Sequence, residues 1–62
     1  MKNKYPLGTI FLREINGDYG VVIRVKEKKT ATIYSVSWSK RNEYGVVFDY
    51  TEDELGRWYK KV

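Results

Sequence analysis

The stretch TATIYSVSW, residues 30–38, decides the fold class of this 62-residue chain. Tyr34, Val36 and Trp38 alternate in it with Ser35 and Ser37. Side chains point to opposite faces at successive positions of a β-strand, and aromatic and β-branched residues are enriched there. The stretch therefore predicts a strand with the large side chains in the core and the serines facing water.

Three further stretches on either side of this strand predict strands, at residues 9–15, 19–26 and 44–50. The first is apolar on both faces, which is typical of a strand inside a closed or strongly curled sheet. In the second, Val21, Ile23 and Val25 share a face, and we assign that face to the core. Phe48 from the last of these strands is expected to join them.

Turns are predicted where polar residues and glycines separate these strands. The pair Asn16-Gly17 favours a type I′ turn, which makes a hairpin of the first two strands. Residues 26–30 and 39–43 form two charged turns. The chain order is then four consecutive strands with short connections.

A helix start follows the fourth strand. Thr51 and Glu54 form a T-x-x-E capping box, in which each side chain accepts a hydrogen bond from a backbone N–H. Gly56 is expected to end the helix after about one turn. Residues 57–62, RWYKKV, are expected to contain a short last strand.

Five strands with one helical turn before the last resemble the small SH3-like barrels of the KOW and Tudor type. The matching residues are Gly20, Val22 and Val25, then Tyr34, Val36 and Trp38, then Asp53, Glu54 and Leu55. The resemblance implies an all-β fold, a small five-stranded SH3-like barrel. We expect one domain over residues 1–62, with 1–6 a flexible tail. In general character the chain is also similar to small proteins of phages or mobile elements.

Composition excludes several function classes. The chain contains no Cys and no His, which removes disulfides, most zinc sites and Cys or His nucleophiles. The acidic run Glu52–Glu54 fits a helix start better than a metal site. We expect no enzyme activity, no cofactor and no metal. Apolar runs of at most three residues predict no membrane segment and a soluble, cytoplasmic protein.

The net charge of +4 permits two interpretations. Lysines near the termini account for the excess, so it either keeps the protein soluble or attracts a polyanion. The resemblance to KOW-type barrels favours nucleic acid, DNA or RNA, held at its backbone by cations with exposed tyrosines stacking on bases. The expected nucleic-acid-binding residues are Lys26, Lys28, Lys29, Lys40, Arg41, Tyr59, Lys60 and Lys61.

A protein partner is the alternative function. The chain would then be an adaptor, or a small inhibitor docked on a larger protein through exposed aromatic residues. The expected residues are Tyr19, Tyr44, Phe48 and Tyr50. In Tudor-like barrels loop aromatics form a cage for a methylated cation, a cation–π site. Packing of the Tyr19 ring over the barrel end is the structural alternative at that position, and oligomeric state is left open.

Overall fold

The computed structural model describes residues 4–39 and 47–62. The elements are β1 (Ile10–Arg13), β2 (Asp18–Glu27), β3 (Thr32–Trp38), β4 (Val47–Thr51), α1 (Glu52–Trp58) and β5 (Lys60–Lys61). All pairings are antiparallel, and the strand order is β4-β3-β2-β1-β5. The all-β class is confirmed. Within the described residues the five strands form one unclosed sheet with β4 and β5 at its edges.

The core lies between one face of the sheet and the helix. Tyr34, Val36 and Trp38 are buried as predicted, and Leu55 of α1 packs onto the same face. The buried apolar residues are Tyr5, Phe11, Val22, Tyr34, Val36, Trp38 and Leu55. The expectation that Phe48 is a core residue is wrong, because β4 is an edge strand and leaves 42% of this residue exposed.

The start of the described chain adds a ring to this core. Tyr5 lies in the stretch expected to be a flexible tail, yet it is buried. Its ring meets Phe11 edge-on at 4.9 Å between centroids and Tyr34 at 5.5 Å. Edge-to-face contacts of this kind add stabilisation beyond the buried area. Tyr5 therefore belongs to the folded unit.

The predicted core face of β2 is wrong in its first half. Val22 is the buried residue, whereas Val21 is only partly buried and Ile23 is 49% exposed. The register shifts between Val22 and Arg24, which is a β-bulge. The extra residue changes the alternation of the strand, so that Val25 again packs against the core.

Gly20 brings β2 unusually close to the side chains of β3. A Cβ atom at this position would lie 2.6 Å from Cγ1 of Val36 and 2.7 Å from Cε3 of Trp38. Any side chain would therefore displace one of these core groups. The absence of a side chain lets the Trp38 ring pack directly over the β2 backbone.

The connection between β1 and β2 differs from the predicted type I′ turn. Such a turn needs positive φ at both central residues. Gly17 has a φ of 69°, but no non-glycine residue of the described chain has positive φ, so Asn16 does not meet the requirement. Residues 14–17 instead form a longer loop, with the N–H of Gly17 donating to the carbonyl of Arg13 at 2.9 Å.

The helix begins as predicted and ends later. The backbone N–H of Glu54 donates to Oγ1 of Thr51 at 3.1 Å, and the N–H of Thr51 donates to Oε1 of Glu54 at 2.9 Å, which confirms the capping box. Gly56 does not end the helix, because its φ is not positive and the helix continues to Trp58. Extended backbone at Tyr59 ends it, and the last strand is only two residues long.

Candidate binding surfaces

The sheet has a second face, here called the outer face, that points away from the core. Ile10, Val21, Ser37 and Val47 are registered side by side across four strands on this face. Tyr19 lies beside this row and is 51% exposed. The described helix packs on the opposite face, where its leucine is buried. The outer face is therefore an apolar, solvent-facing platform within the described residues.

Cations line this platform along β2. Arg24 pairs with an outer-face serine, and Lys26 pairs with the next outer-face position of β3. Lys60 of β5 pairs with Leu12, which itself pairs with Tyr19. Two more lysines occupy the turn after β2. We call this line of residues the basic track, and its members are Lys60, Arg24, Lys26, Lys28 and Lys29.

The residues expected to bind nucleic acid fall into separate places. Lys26, Lys28 and Lys29 lie at the far end of β2, and Lys60 lies near its beginning. Lys61 pairs with the core-face position of β1 and so points to the other side of the sheet. Tyr59 packs against the core. The remaining two, Lys40 and Arg41, lie outside the described residues.

Charge is segregated along the chain. Residues 47–58, which form β4 and α1, contain four acidic residues and one basic residue. The other described residues, 4–39 and 59–62, contain eight basic and three acidic residues. The basic track belongs to the basic part of the chain. One acidic residue, Asp49 of β4, shares the outer face with it and accepts a hydrogen bond from the hydroxyl of Ser35 at 2.7 Å.

A second surface is formed by five rings on the core side, here called the aromatic cluster: Trp38, Phe48, Tyr50, Trp58 and Tyr59. The centroid distances are 4.8 Å from Trp38 to Tyr59, 5.4 Å from Tyr50 to Tyr59 and 6.5 Å from Phe48 to Tyr50. Trp58 meets Tyr50 and Tyr59 edge-on at 6.4 and 6.3 Å. The cluster runs from a buried Trp38 to a Trp58 that is 55% exposed.

Hydroxyl groups connect the rings of the aromatic cluster. The indole N–H of Trp38 donates to the Tyr50 hydroxyl at 3.1 Å, and the Tyr59 hydroxyl donates to the same oxygen at 3.3 Å. Burial, followed by the hydrogen bond with Tyr59, raises the pKa of Tyr50 to about 12. The hydroxyl of Tyr50 is therefore neutral at physiological pH, and the cluster is fixed by uncharged hydrogen bonds.

The residues of the expected protein-binding site lie on opposite sides of the sheet. Tyr19 is exposed on the outer face, whereas Phe48 and Tyr50 belong to the aromatic cluster. Tyr44 lies outside the described residues. Of the two structural alternatives for Tyr19, the ring is presented to solvent and is not buried over the end of the sheet. The described aromatics do not converge on one cage.

The acidic residues at the helix start have structural partners. Oε2 of Glu52 accepts a hydrogen bond from the Tyr34 hydroxyl at 2.6 Å, and Asp53 forms an ion pair with Arg57 at 2.8 Å. Glu54 completes the capping box. Among residues 4–39 and 47–62, no three Asp, Glu, His or Cys side chains are grouped so as to hold a metal ion.

Sequence reasoning missed two groups of exposed residues. Arg24 belongs to the basic track and shares the outer face with Lys26, but it was not among the residues expected to bind nucleic acid. Ile15 and Trp58 are strongly exposed at one end of the molecule. Leu55 and Trp58 are three residues apart, a spacing that puts them on one helix face, and this was a signal that the helix extends past Gly56.

None of the helices in the described part of the chain has the length and apolar character that crossing a bilayer requires. Comparison of the chain with family models, with curated proteins and with solved structures gives no match in any of the three. The function proposed for this chain therefore depends on the positions and the chemistry of its own residues.

Proposed function

We propose that this protein is a non-enzymatic module that binds single-stranded nucleic acid along the basic track. The observation that carries the proposal is the placement of Arg24, Lys26 and Lys60 on the same open sheet face as the exposed Tyr19. Single strands are bound by combining a line of cations for the phosphates with aromatic rings for the bases. The outer face has both components.

The dimensions of the basic track suit a short strand. β2 has ten residues, which corresponds to about 33 Å of extended backbone. Lys60 and Tyr19 lie toward one end of this length, Arg24 in the middle, and the lysines of the following turn at the other end. Bases stacked on Tyr19 have apolar neighbours in Ile10 and Val21. Unpaired bases are needed because a duplex hides the faces on which the tyrosine stacks.

The test is the binding of labelled oligo(dT) and oligo(rU), each of about 12 nucleotides, measured by fluorescence anisotropy. Five phosphate contacts, one for each cation of the basic track, predict a slope of about −3.5 for the logarithm of affinity against the logarithm of salt. The affinity should then fall about 130-fold between about 50 and 200 mM salt. The two oligonucleotides show whether DNA or RNA is preferred.

Matched variants locate the surface. Lys60→Glu should weaken binding and flatten the salt slope, whereas Arg57→Glu makes the same charge change in the helix, where Arg57 pairs with Asp53. Tyr19→Ala should weaken binding about 5- to 150-fold, the usual range for a stacked base, and Tyr19→Phe should retain it. The proposal fails if neither oligonucleotide binds at low salt, or if both charge reversals weaken binding equally.

A protein partner is the second candidate, and one observation favours it. The outer face exposes the aliphatic side chains of Ile10 and Val47, which the binding of phosphates does not require. Apolar residues inside a charged rim are typical of protein interfaces. Val47→Ser should then abolish binding of a protein cross-linked to the chain in cells, whereas Phe48→Ser, which alters the opposite face of β4, should not.

We also propose that the five-stranded sheet curls into a small SH3-like barrel. The number of strands, the antiparallel order and the position of α1 between β4 and β5 support this assignment. Closure requires contact between the β4 and β5 edges. A cysteine pair placed across those two edges should form a disulfide readily in a barrel and not in a flat sheet.

A further inference from the structure

The end of the molecule formed by the β1–β2 loop and the end of α1 has a cavity of about 580 Å³ that the proposed function does not use. It is lined by Arg13, Glu14, Ile15, Trp58 and Tyr59. Ile15 projects from the loop with 84% of its surface exposed, and more than half of Trp58 is exposed beside it. Ile15 and Trp58 together form an exposed apolar patch beside two charged side chains.

Ring contacts hold the aromatic wall of the cavity. Trp58 is held by its edge contacts to Tyr50 and Tyr59, and Tyr50 is in turn hydrogen-bonded to the buried Trp38. Rigid aromatic anchors lose little freedom on binding, and Trp, Tyr and Arg are the residues most enriched in interface hot spots. The wall therefore has the composition and rigidity of a protein-binding site.

The charges at this end are complementary to one another. Arg13 and Glu14 are neighbours of opposite sign, and within residues 4–39 and 47–62 neither forms an ion pair. In a two-fold interface the same surface is used by both chains, so residue i of one chain meets residue j of the other and the reverse contact also forms. This end of the molecule is complementary to itself. It has adjacent charges of opposite sign, a projecting Ile15 and a cavity beside that residue.

We propose that this end of the molecule binds a second copy of the same chain. Ile15 of each copy enters the cavity of the other against Trp58. Arg13 of each copy faces Glu14 of the other, which gives two equivalent ion pairs. The outer face and its basic track stay free in such a dimer, because they belong to a different surface of the sheet.

Analytical ultracentrifugation from about 1 µM to about 1 mM tests the proposal. The wild-type chain should show a reversible monomer–dimer equilibrium. Ile15→Glu should be monomeric, since it removes the aliphatic side chain that packs against Trp58 and places a charge against that ring. Lys60→Glu, on the outer face, should dimerise like the wild type. A wild-type chain that is monomeric throughout this range overturns the proposal.

Charge reversal tests the two-fold arrangement directly. Arg13→Glu alone and Glu14→Lys alone each bring like charges together and should raise the dissociation constant at least about 100-fold. An equimolar mixture of the two variants restores both ion pairs and should form a heterodimer with an affinity within about tenfold of the wild-type dimer. The double variant should self-associate again. Failure of both the mixture and the double variant to associate contradicts the arrangement.

The two proposals can fail separately. Circular dichroism and a thermal melt show that each variant is folded before its association is measured. If the wild type binds oligonucleotides, the monomeric Ile15→Glu variant should bind them too. Its salt slope per chain should equal that of the wild type. A chain that dimerises but binds no nucleic acid removes only the proposed function, and a monomer that binds nucleic acid removes only the dimer.

Discussion

The hydroxyl of Tyr34 donates a hydrogen bond of 2.6 Å to Oε2 of Glu52, which ties the middle of β3 to the first residue of α1. The same hydroxyl oxygen accepts the backbone N–H of Tyr5 at 3.4 Å. One buried side chain thus connects the sheet, the helix and the start of the described chain.

Tyr34→Phe should lower the free energy of unfolding by about 1.5–3 kcal/mol, the usual range for a hydrogen bond to a charged group. Urea denaturation measures the change as a lower midpoint at constant slope. Tyr59→Phe is the matched control, because among residues 4–39 and 47–62 its hydroxyl bonds to the uncharged Tyr50 hydroxyl, at 3.3 Å. An equal loss of unfolding free energy in both variants would show that the hydrogen bond to Glu52 is no stronger than the one between two uncharged hydroxyls.

Alkaline pH should destabilise the fold through two tyrosines. Burial raises the pKa values of Tyr34 and Tyr50 from 10 to about 12, with the hydrogen bonds to Glu52 and Tyr59 as the next causes. Because folding raises both pKa values, their contribution to stability is complete below pH 10 and is lost as the pH rises from 10 to 12. The melting temperature should fall over that interval, and less steeply in Tyr34→Phe. An identical profile in that variant would contradict the assignment.

Gly20→Ala should destabilise the protein by about 1–3 kcal/mol, the cost of overpacking a filled core. The new Cβ would lie 2.6 Å from a methyl carbon of Val36 and 2.7 Å from the Trp38 ring. Ser37→Ala, on the outer face opposite Val21, makes a change of similar size without a core contact. Thermal unfolding should separate the two variants clearly, and equal melting temperatures would show that Gly20 is not needed for close packing.

The two tryptophans should differ in their effect on stability. Trp38→Ala should cost about 3–5 kcal/mol, because it empties a buried site and removes the hydrogen bond to Tyr50. Trp58→Ala should cost only about 1 kcal/mol, since it removes ring contacts at a largely exposed position. Denaturant titration followed by circular dichroism compares them. A cooperative melt of Trp38→Ala at nearly the wild-type temperature would remove Trp38 from the core.

Local patterns gave the reliable predictions from sequence. The alternation of Tyr34, Val36 and Trp38 places all three in the core, because a central strand with one buried face leaves no other arrangement. The capping box at Thr51 was also predictable, since both of its bonds connect residues three apart. Neither feature depends on distant parts of the chain.

The wrong predictions concern features that depend on tertiary contacts. The bulge at Ile23 changes which side chains of β2 point to the core. It becomes visible only in the pairing of β2 with β3. The helix passes through Gly56 because Leu55 is buried in the core, which outweighs the low helix propensity of glycine. Phe48 is exposed because β4 is an edge strand. The alternation of residues within β4 does not indicate where that strand lies in the sheet.

The candidate surfaces were predictable only in part. The lysines at positions 26, 28, 29 and 60 were predicted from charge. Their arrangement along the sheet was not predictable, because it depends on the register of β1 with β2 and β5. Arg24 lies on the same face as Lys26, as the alternation with Val25 predicts. Ile15 and Trp58 meet at one cavity because the β1–β2 loop and the helix end are brought together by the sheet order.

The bulge in β2 has a consequence for insertions and deletions in this strand. In a regular strand, losing one residue turns every later side chain to the wrong face. Here Val22 points to the core and Arg24 to the outer face, so deleting Ile23 joins two halves that already alternate correctly. The strand is therefore one residue longer than its pairing needs, and a chain shortened at this point should still fold with Val25 in the core.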